Sequence, residues 1–364
     1  MKHLEEYRDP QLIGEYLQQI QKTVTQPWNI MEVCGGQTHG LVKSGLLELL
    51  PDDINMVHGP GCPVCVTPIE IIDQAISLAL EYDVTLCSFG DMLRVPGSEK
   101  SLLEAKALGA DIRTVYSPLE AVSLAKDNPD QEFIFFAVGF ETTAPANGLA
   151  VLQAHELELK NFSILASHVL VPPAIEAIMN DPECRIDAFL AAGHVCSVMG
   201  TDEYDPLCAK YQIPIVATGF EPIDLLQGIL KVVEQLEMGE SKLENQYSRM
   251  VLSEGNNGAQ HIIKQVFEIT DRNWRGIGTI PQSGLQLRRE FQGFDASQKF
   301  DIQHLESKYC ASCIAGQILK GIKKPFDCPE FGAGCTPENP LGAPMVSSEG
   351  ACAAYFYHHQ NQLT

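Results

Sequence analysis

Long apolar runs and positive charge are the features that this sequence lacks. No apolar run approaches the roughly 18 residues that a membrane-spanning helix requires, and the opening segment from Met1 to Glu6 has no apolar core like that of a signal peptide. Lysine and arginine total 25 against 47 aspartate and glutamate residues, so the formal net charge is -22. Such a charge argues against nucleic acid or an anionic membrane as a partner. We therefore expect a cytoplasmic protein that binds neither.

Cysteine, by contrast, is abundant. The chain of 364 residues is 45% hydrophobic and 20% charged, which describes a folded protein with room for two or three domains. It contains twelve cysteines and no recognisable export signal. This combination indicates metal or redox chemistry in a reducing compartment, because disulfide frameworks belong to secreted proteins.

Short apolar strands alternate with amphipathic helices along most of the chain. We expect strands at residues 30–33, 54–57, 84–87, 112–115, 133–138, 164–166, 188–190 and 213–217. This alternation predicts an α/β fold with parallel sheets covered by helices, and with functional loops at the carboxyl ends of the strands. The alternation fades beyond about Ser241, which suggests a third, smaller unit organised by something other than a sheet. The predicted domains are 1–120, 121–240 and 241–364.

Four cysteines of the tail form the strongest metal-binding pattern. Cys310, Cys313, Cys328 and Cys335 follow the spacing C-x2-C-x14-C-x6-C, which suits tetrahedral zinc or an iron–sulfur cluster. The second pair is wider than in a usual zinc ribbon, and a proline directly follows Cys328, as in many cluster motifs. The spacing favours a [4Fe–4S] cluster over zinc, with unligated cysteines as the third alternative. Cys352 is expected to be packed and not to be a ligand.

A second pair, Cys62 and Cys65, has the C-x-x-C spacing that suits reversible disulfide formation. A helix that begins near Pro68 would lower a thiol pKa. Half of a zinc site and a structural turn are the alternatives. We favour a redox-active pair.

The third cysteine site is Cys34, on a glycine-rich turn at the end of a predicted strand, with His39 five positions further on. Glycines let backbone amides approach a ligand, and a following helix N-terminus favours a thiolate. A nucleophile with its base, a metal ligand and a small buried cysteine all remain open. His194, Glu141 and Asp91 follow other strands and either belong to the same functional edge or are structural and surface groups.

These motifs, in this order, resemble those of the HypD family of [NiFe]-hydrogenase maturation factors almost from end to end. They are Tyr7-Arg8-Asp9-Pro10, Cys34 to His39, Gly59-Pro60-Gly61-Cys62-Pro63-Val64-Cys65, Phe89-Gly90-Asp91-Met92, Gly139-Phe140-Glu141-Thr142-Thr143-Ala144-Pro145, His168-Val169 before Pro172-Pro173-Ala174, the cysteine-rich tail, and Val346-Ser347-Ser348-Glu349-Gly350-Ala351-Cys352.

The resemblance implies two α/β domains around a cleft and a small cysteine-rich domain with a [4Fe–4S] cluster on Cys310, Cys313, Cys328 and Cys335. It implies a scaffold on which, together with the small chaperone HypC, iron acquires two cyanides and carbon monoxide. HypE, working with HypF, delivers the cyanide. Whether the chain is itself an enzyme stays open.

The resemblance also implies roles for individual residues. Cys34 matches the iron ligand, and Cys62 with Cys65 match the redox pair. His194 and Glu141 match family positions that are expected to line the cleft. Cys196 is an additional cysteine near the cleft to which no role is assigned.

Two functions of other classes compete with this interpretation. One is a stand-alone thiol oxidoreductase that uses the cluster and the dithiol on a small substrate. The other is a zinc-stabilised α/β binding protein without a redox role. Iron and acid-labile sulfide analysis separates the zinc-stabilised binding protein from the two iron-dependent functions. Co-purification of a HypC-like partner with iron cyanide separates the maturation scaffold from the oxidoreductase.

Low-valent iron with cyanide and carbonyl ligands favours a soft thiolate, which Cys34 can supply.

We predict that Cys313→Ala or Cys328→Ala abolishes the broad visible absorption of a thiolate-bound cluster, because each removes one sulfur ligand. The measurement is the absorption spectrum of anaerobically purified protein. Zinc without iron in the wild-type protein would contradict the prediction.

Overall fold

The structure is a computed structural model that describes residues 6–302 and 307–363 of the chain. Residues 1–5, most of the opening segment, lie outside the described residues. The strands are Trp28–Glu32 (β1), Ile54–His58 (β2), Val84–Ser88 (β3), Ile112–Thr114 (β4), Glu132–Gly139 (β5), Phe162–Val169 (β6), Ala188–Ala192 (β7), Ile215–Thr218 (β8), Leu243–Asn245 (β9), Phe267–Trp274 (β10) and Gly278–Leu287 (β11).

Helices connect most of these strands, as the sequence pattern predicts. The α-helices are Pro10–Thr23 (α1), Gly35–Lys43 (α2), Leu46–Leu49 (α3), Pro63–Val66 (α4), Ile69–Glu81 (α5), Leu102–Ala107 (α6), Pro118–Asp127 (α7), Ala144–Glu156 (α8), Val171–Met179 (α9), Gly193–Met199 (α10), Asp205–Tyr211 (α11), Pro222–Met238 (α12), Asn257–Val266 (α13), Ala296–Lys299 (α14), Ala315–Leu319 (α15) and Ala351–Leu363 (α16). Within the described ranges, no helix combines the length and the apolar character needed to cross a membrane.

Helix starts follow local capping chemistry. Asp9 precedes α1, and its carboxylate accepts a hydrogen bond from the Gln11 amide at 2.8 Å. Pro10 occupies the first helical position, where no amide donor is needed. Ser101 and Glu104 form a reciprocal capping box at the start of α6. The sequence therefore defines these boundaries locally.

The first sheet has the strand order β2-β1-β7-β8-β9, and all of its strand pairs are parallel. Its central strand β7 is buried at every residue, which explains its unbroken apolar sequence. In register, Ile30 of β1 faces Ala188 of β7, and Phe189 of β7 faces Ile215 of β8. The predicted parallel α/β architecture is confirmed for this part of the chain.

The second sheet has the order β10-β11-β6-β5-β3-β4. Strands β6, β5, β3 and β4 pair in parallel, and β5 is buried along almost its whole length. The β10–β11 hairpin adds to β6 in antiparallel fashion, with Gly284 facing Val169. The fold thus contains two sheets that are predominantly parallel.

The expectation that residues beyond about Ser241 form a unit without a sheet is wrong for the first part of that region. Strand β9 completes the first sheet, and β10 with β11 extends the second. The sequence pattern did not predict β10, because β10 has no continuous apolar run. It is an edge strand, and much of its length is exposed. Beyond β11, the described residues 288–302 and 307–363 form helices and turns without a named strand.

Each sheet takes strands from both of the stretches predicted as α/β domains, 1–120 and 121–240. The chain builds β1 and β2, crosses to the second sheet for β3 to β6, and returns to the first for β7 to β9. Strand order in the sheets therefore does not follow these predicted boundaries. The boundaries of compact domains stay a prediction.

One apolar cluster joins the two sheets and the tail. Representative members from the first sheet, the second sheet and the tail are Phe189, Trp274 and Leu319. Cys34, Cys62 and Cys65 belong to the same cluster. The cysteine motifs that are separate in the sequence thus share one buried region.

Candidate functional site

Cys34 lies between β1 and α2, and only 1% of its surface is exposed. Helix α2 begins at Gly35, so Cys34 directly precedes a helix. The Gln37 and Thr38 amides donate to the Cys34 carbonyl, at 2.9 and 3.1 Å. The Gly35 amide donates to the carbonyl of Gly61 at 2.9 Å. Several amides of the turn are therefore engaged within the protein.

The side chain of Glu32 is fully buried and hydrogen-bonds to this turn. Its Oε2 accepts a hydrogen bond from the Cys34 amide at 2.8 Å. Its Oε1 accepts from the Thr38 hydroxyl and lies 2.7 Å from Nδ1 of His58. Nε2 of His58 in turn lies 2.8 Å from the Tyr355 hydroxyl on α16. This chain of contacts links the C-terminal helix to the Cys34 backbone.

The sequence reasoning missed Glu32 and His58. The signal was a charged residue directly after the apolar Ile30 and Met31 at the end of β1, where each of the last three residues is buried. Burial raises the pKa of Glu32, and the hydrogen bonds from His58 and Thr38 oppose that increase. A buried carboxylate needs such donors, because its charge is otherwise left without solvation.

The histidine that faces Cys34 is His194 in the first turn of α10, with 3.4 Å between Sγ and Nδ1. Burial lowers the pKa of His194 to about 4, so its ring is neutral near pH 7. The neutral thiol can donate to Nδ1 when the ring proton sits on Nε2. His39 instead lies within electrostatic range of Glu349 in the tail.

Burial raises the pKa of the Cys34 thiol well above its ordinary value, and the nearby Glu32 raises it further. Hydrogen bonds from the Gln37 and Gly36 backbones act in the opposite direction and are outweighed. The expectation that the helix N-terminus favours a free thiolate is therefore wrong for Cys34. A cation bound to the sulfur would have to displace the thiol proton.

Cys62 and Cys65 are joined by a disulfide, with 5.2 Å between their Cα atoms. The pair spans the short helix α4, and both residues are buried. Their loop touches the Cys34 turn at Gly61, where a Cβ atom would lie 2.1 Å from the Cys34 nitrogen. Only glycine permits that approach. The structure therefore brings the predicted redox pair against the predicted iron ligand.

Glu141 follows β5 and is 1% exposed. Its Oε1 accepts a hydrogen bond from the Val171 amide at 2.8 Å, and Oε2 has no hydrogen-bond partner in the described part of the chain. Burial raises the pKa of Glu141 to about 8. Cys196 and Glu203 lie within electrostatic range of it. Glu141 thus provides a buried neutral acid on the Cys196 side of the shared core.

The tail brings sulfur atoms together. Electrostatic interactions connect the thiols of Cys313, Cys328 and Cys335, and each of the three also interacts with Cys352. Cys352 is buried, in the same apolar cluster as Cys335. Cys310 is exposed, and its carbonyl accepts from the Cys313 amide at 3.2 Å. Cys352 is packed, as predicted, but it is packed among the predicted ligands.

These thiols do not form a closed site for a single ion. Within residues 6–302 and 307–363, no three His, Cys, Asp or Glu side chains are grouped closely enough to hold one metal ion. Four sulfurs around one zinc would lie about 3.8 Å apart, given a Zn–S distance of about 2.3 Å. In an iron–sulfur cluster each cysteine binds a different iron, so the sulfurs stand farther apart. The soft donor set of four thiols suits either an iron–sulfur cluster or zinc.

Comparisons with known proteins cover the whole candidate site. A family model described as "HypD: Hydrogenase formation hypA family" matches residues 11–359. The chain is 46% identical to the hydrogenase maturation factor HypD of Cupriavidus necator, over 98% of this chain and 97% of that protein. It is 46% identical to HypD of Rhodobacter capsulatus, over 98% of each chain. It is 43% identical to HypD of Escherichia coli, over 100% of this chain and 99% of that protein.

We predict that Gly61→Ala destabilises the protein by about 1–3 kcal/mol, because the new methyl group would overlap the Cys34 backbone. The measurement is the free energy of unfolding in urea. Gly14→Ala is the matched control, since nothing lies within 4 Å of a Cβ at that position in α1. The control should be neutral or stabilising by about 0.5–1 kcal/mol. Equal effects at the two positions would refute the close contact.

Glu141→Gln is expected to flatten the dependence of stability on pH. The folded protein raises the pKa of Glu141 from 4.5 to about 8, so it retains a proton that the unfolded chain releases within that range. At a pH below 4.5, the neutral Glu141 makes its full contribution to the free energy of unfolding. This contribution is lost as the pH rises through the folded pKa of about 8.

Urea unfolding at about pH 6 and about pH 9 tests this expectation. The variant should lose less unfolding free energy between the two conditions than the wild-type protein does. If both proteins lose the same amount, Glu141 is not a neutral acid in the folded state.

Proposed function

The chain belongs to the HypD family of hydrogenase maturation factors, and from this premise we propose that it is the scaffold on which the iron of a [NiFe]-hydrogenase receives its cyanide and carbonyl ligands. In this role it works with a HypC-like small chaperone, and HypE, together with HypF, supplies the cyanide. The iron with its diatomic ligands is cargo that is held during assembly and then passed on.

The observation that carries the proposal is the position of Cys34. Its sulfur is buried, lies 3.4 Å from Nδ1 of His194, and belongs to the same apolar cluster as the Cys62–Cys65 disulfide. A thiolate is a soft ligand that suits low-valent iron with cyanide and carbonyl ligands. The Gln37 and Gly36 backbones act to lower the pKa of the Cys34 thiol and would support its negative charge once iron has replaced the proton.

Loading of iron requires the Cys34 proton to leave. Because His194 is neutral near pH 7, its Nδ1 can accept a hydrogen bond from the thiol at the distance observed, and with a pKa of about 4 it would pass a departing proton on without retaining it. Glu32 holds the Cys34 amide at 2.8 Å and so fixes the turn while the sulfur changes its protonation state. His194 thus acts on the sulfur itself, whereas Glu32 is a positioning residue that acts through the backbone.

In this proposal, the Cys62–Cys65 disulfide and a cluster on the tail cysteines carry out the redox chemistry. Opening the Cys62–Cys65 bond takes two electrons and two protons and yields two thiols. A [4Fe–4S] cluster, when bound, supplies electrons one at a time, and Cys310, Cys313, Cys328 and Cys335 would hold it. The electrons originate from an external one-electron carrier.

The burial of both disulfide sulfurs disfavours a stand-alone thiol oxidoreductase. Cys62 and Cys65 are 3% and 1% exposed, so a separate substrate could not reach them without opening the core. A dithiol packed against the Cys34 turn is better placed to serve chemistry at Cys34. The scaffold function accounts for this placement, and the oxidoreductase function does not.

We predict that Cys34→Ser abolishes the cyanide and carbonyl infrared bands of the complex with the HypC-like partner. Serine keeps the size of the side chain but replaces the soft sulfur by a hard oxygen. Iron and sulfide content of the tail should barely change, because those cysteines form a separate site. The measurement is infrared spectroscopy of the purified complex.

Cys87→Ser is the matched control, since Cys87 is also buried and free but lies on β3 in the second sheet. This variant should keep the bands. Bands of full intensity in Cys34→Ser would show that the iron is held elsewhere, and the proposed role of Cys34 would fail.

A further inference from the structure

The turn between β10 and β11, at the tip of the hairpin, begins with two buried residues, Trp274 and Arg275, although its sequence shows only a glycine-rich turn. Trp274 is buried, and its indole nitrogen donates to the Ser283 hydroxyl at 2.9 Å. Its ring centroid lies 6.1 Å from that of Phe140 at the end of β5. The next residue, Arg275, is 8% exposed. An arginine buried to this extent requires an explanation.

On one side, the tip contacts the disulfide loop. The Arg275 amide donates to the carbonyl of Val66 at 2.9 Å, and Val66 directly follows Cys65. Val66 and both cysteines belong to the same apolar cluster as Trp274. The backbone of Arg275 is therefore one residue away from the predicted redox pair.

On the other side, the tip contacts the cysteine-rich tail. Gly276 packs against the backbone of Gly316 in α15, and a Cβ at Gly276 would lie 2.7 Å from the Gly316 Cα. Gly316 is the third residue after Cys313. Arg275, between these two contacts, also lines a cavity of about 270 Å³ together with Tyr309 and Cys310. The hairpin tip thus bridges the disulfide loop and the predicted cluster ligands.

Arg275 forms no ion pair within the described residues. Its Nη1 donates to the Pro96 carbonyl at 2.9 Å. Burial lowers the pKa of Arg275, and the Cys313 thiol is foremost among the groups that oppose this shift, followed by Tyr309 and by the carboxylates of Asp73 and Glu70. A guanidinium stays protonated in proteins, so the charge remains. A buried cation of this kind favours an anionic neighbour.

We propose that Arg275 is the counter-ion of the iron–sulfur cluster and raises its reduction potential. The cluster would accept its electron close to the Cys62–Cys65 disulfide. The proposal deepens the proposed function and rests on it for the presence of the cluster. A four-thiolate cluster is anionic, and each added electron increases its negative charge. A fixed cation next to Cys313 stabilises the reduced form more than the oxidised form, so it raises the reduction potential.

The test compares three variants of the full chain, purified anaerobically. Arg275→Gln removes the charge, and Arg275→Lys retains it. Arg272→Gln is the matched control, because Arg272 is a partly buried cation on the preceding strand β10 whose Nη2 donates to the Leu285 carbonyl. The readouts are iron and acid-labile sulfide per chain and the midpoint potential from a redox titration followed by electron paramagnetic resonance.

We expect Arg275→Gln to make reduction of the cluster less favourable by on the order of tenfold, which is about 59 mV for one electron. Arg275→Lys and Arg272→Gln should keep the wild-type potential. If Arg275→Gln fails to fold or to hold the cluster, a wild-type potential in Arg275→Lys still supports the proposal that a positive charge at this position sets the potential.

Two results overturn the role of Arg275 alone. One is an unchanged potential in Arg275→Gln with full iron and sulfide content, and the other is a lysine variant that cannot retain the cluster or its potential. Either result leaves the proposed function standing. Absence of iron and sulfide from the wild-type protein would overturn both the cluster and its counter-ion.

Discussion

The buried carboxylate of Glu32 is the constraint on which the Cys34 site depends. A charge inside an apolar core is tolerated only where donors surround it, and Glu32 receives them from the Cys34 amide, the Thr38 hydroxyl and the His58 ring. His58 then connects to Tyr355 on the C-terminal helix. Displacement of the tail from the first sheet would leave this network incomplete. The arrangement links the site to the end of the chain.

Close backbone contacts bring the separate motifs together. Gly61 lets the disulfide loop approach the Cys34 turn, and Gly35 lies against Glu349 of the tail, where a Cβ would come within 2.5 Å of the glutamate Cβ. Gly276 and Gly316 do the same for the hairpin tip and α15. In each case a methyl group would occupy space that another backbone or side chain already fills. The glycines in the motifs therefore serve contact between segments as much as flexibility within turns.

Burial also determines the protonation states at the site. The Cys34 thiol and the Glu141 carboxyl keep their protons near pH 7, and His194 remains neutral, because each is largely removed from water. A metal ion that binds the Cys34 sulfur therefore has to exchange with a proton. Arg275, by contrast, is a permanent cation near the predicted cluster ligands.

The sequence by itself determined the kind of fold and predicted metal or redox chemistry at the cysteines. Apolar periodicity predicted parallel strands and their helices, because buried strands require continuous apolar runs. It did not predict β10, an edge strand that faces solvent, or the way the chain alternates between the two sheets, since strand pairing is non-local. Cysteine spacing alone indicated a disulfide pair and a four-sulfur site.

Tertiary structure decided which groups meet. His194, 160 positions from Cys34, faces the sulfur, whereas the neighbouring His39 does not. The sequence assigns no role to Glu32 or Arg275, because the role of a buried charge is set by what surrounds it and not by its neighbours along the chain. The physical reason is the same in each case: periodicity reports the face on which a residue lies, and only the packing of distant segments sets its partners.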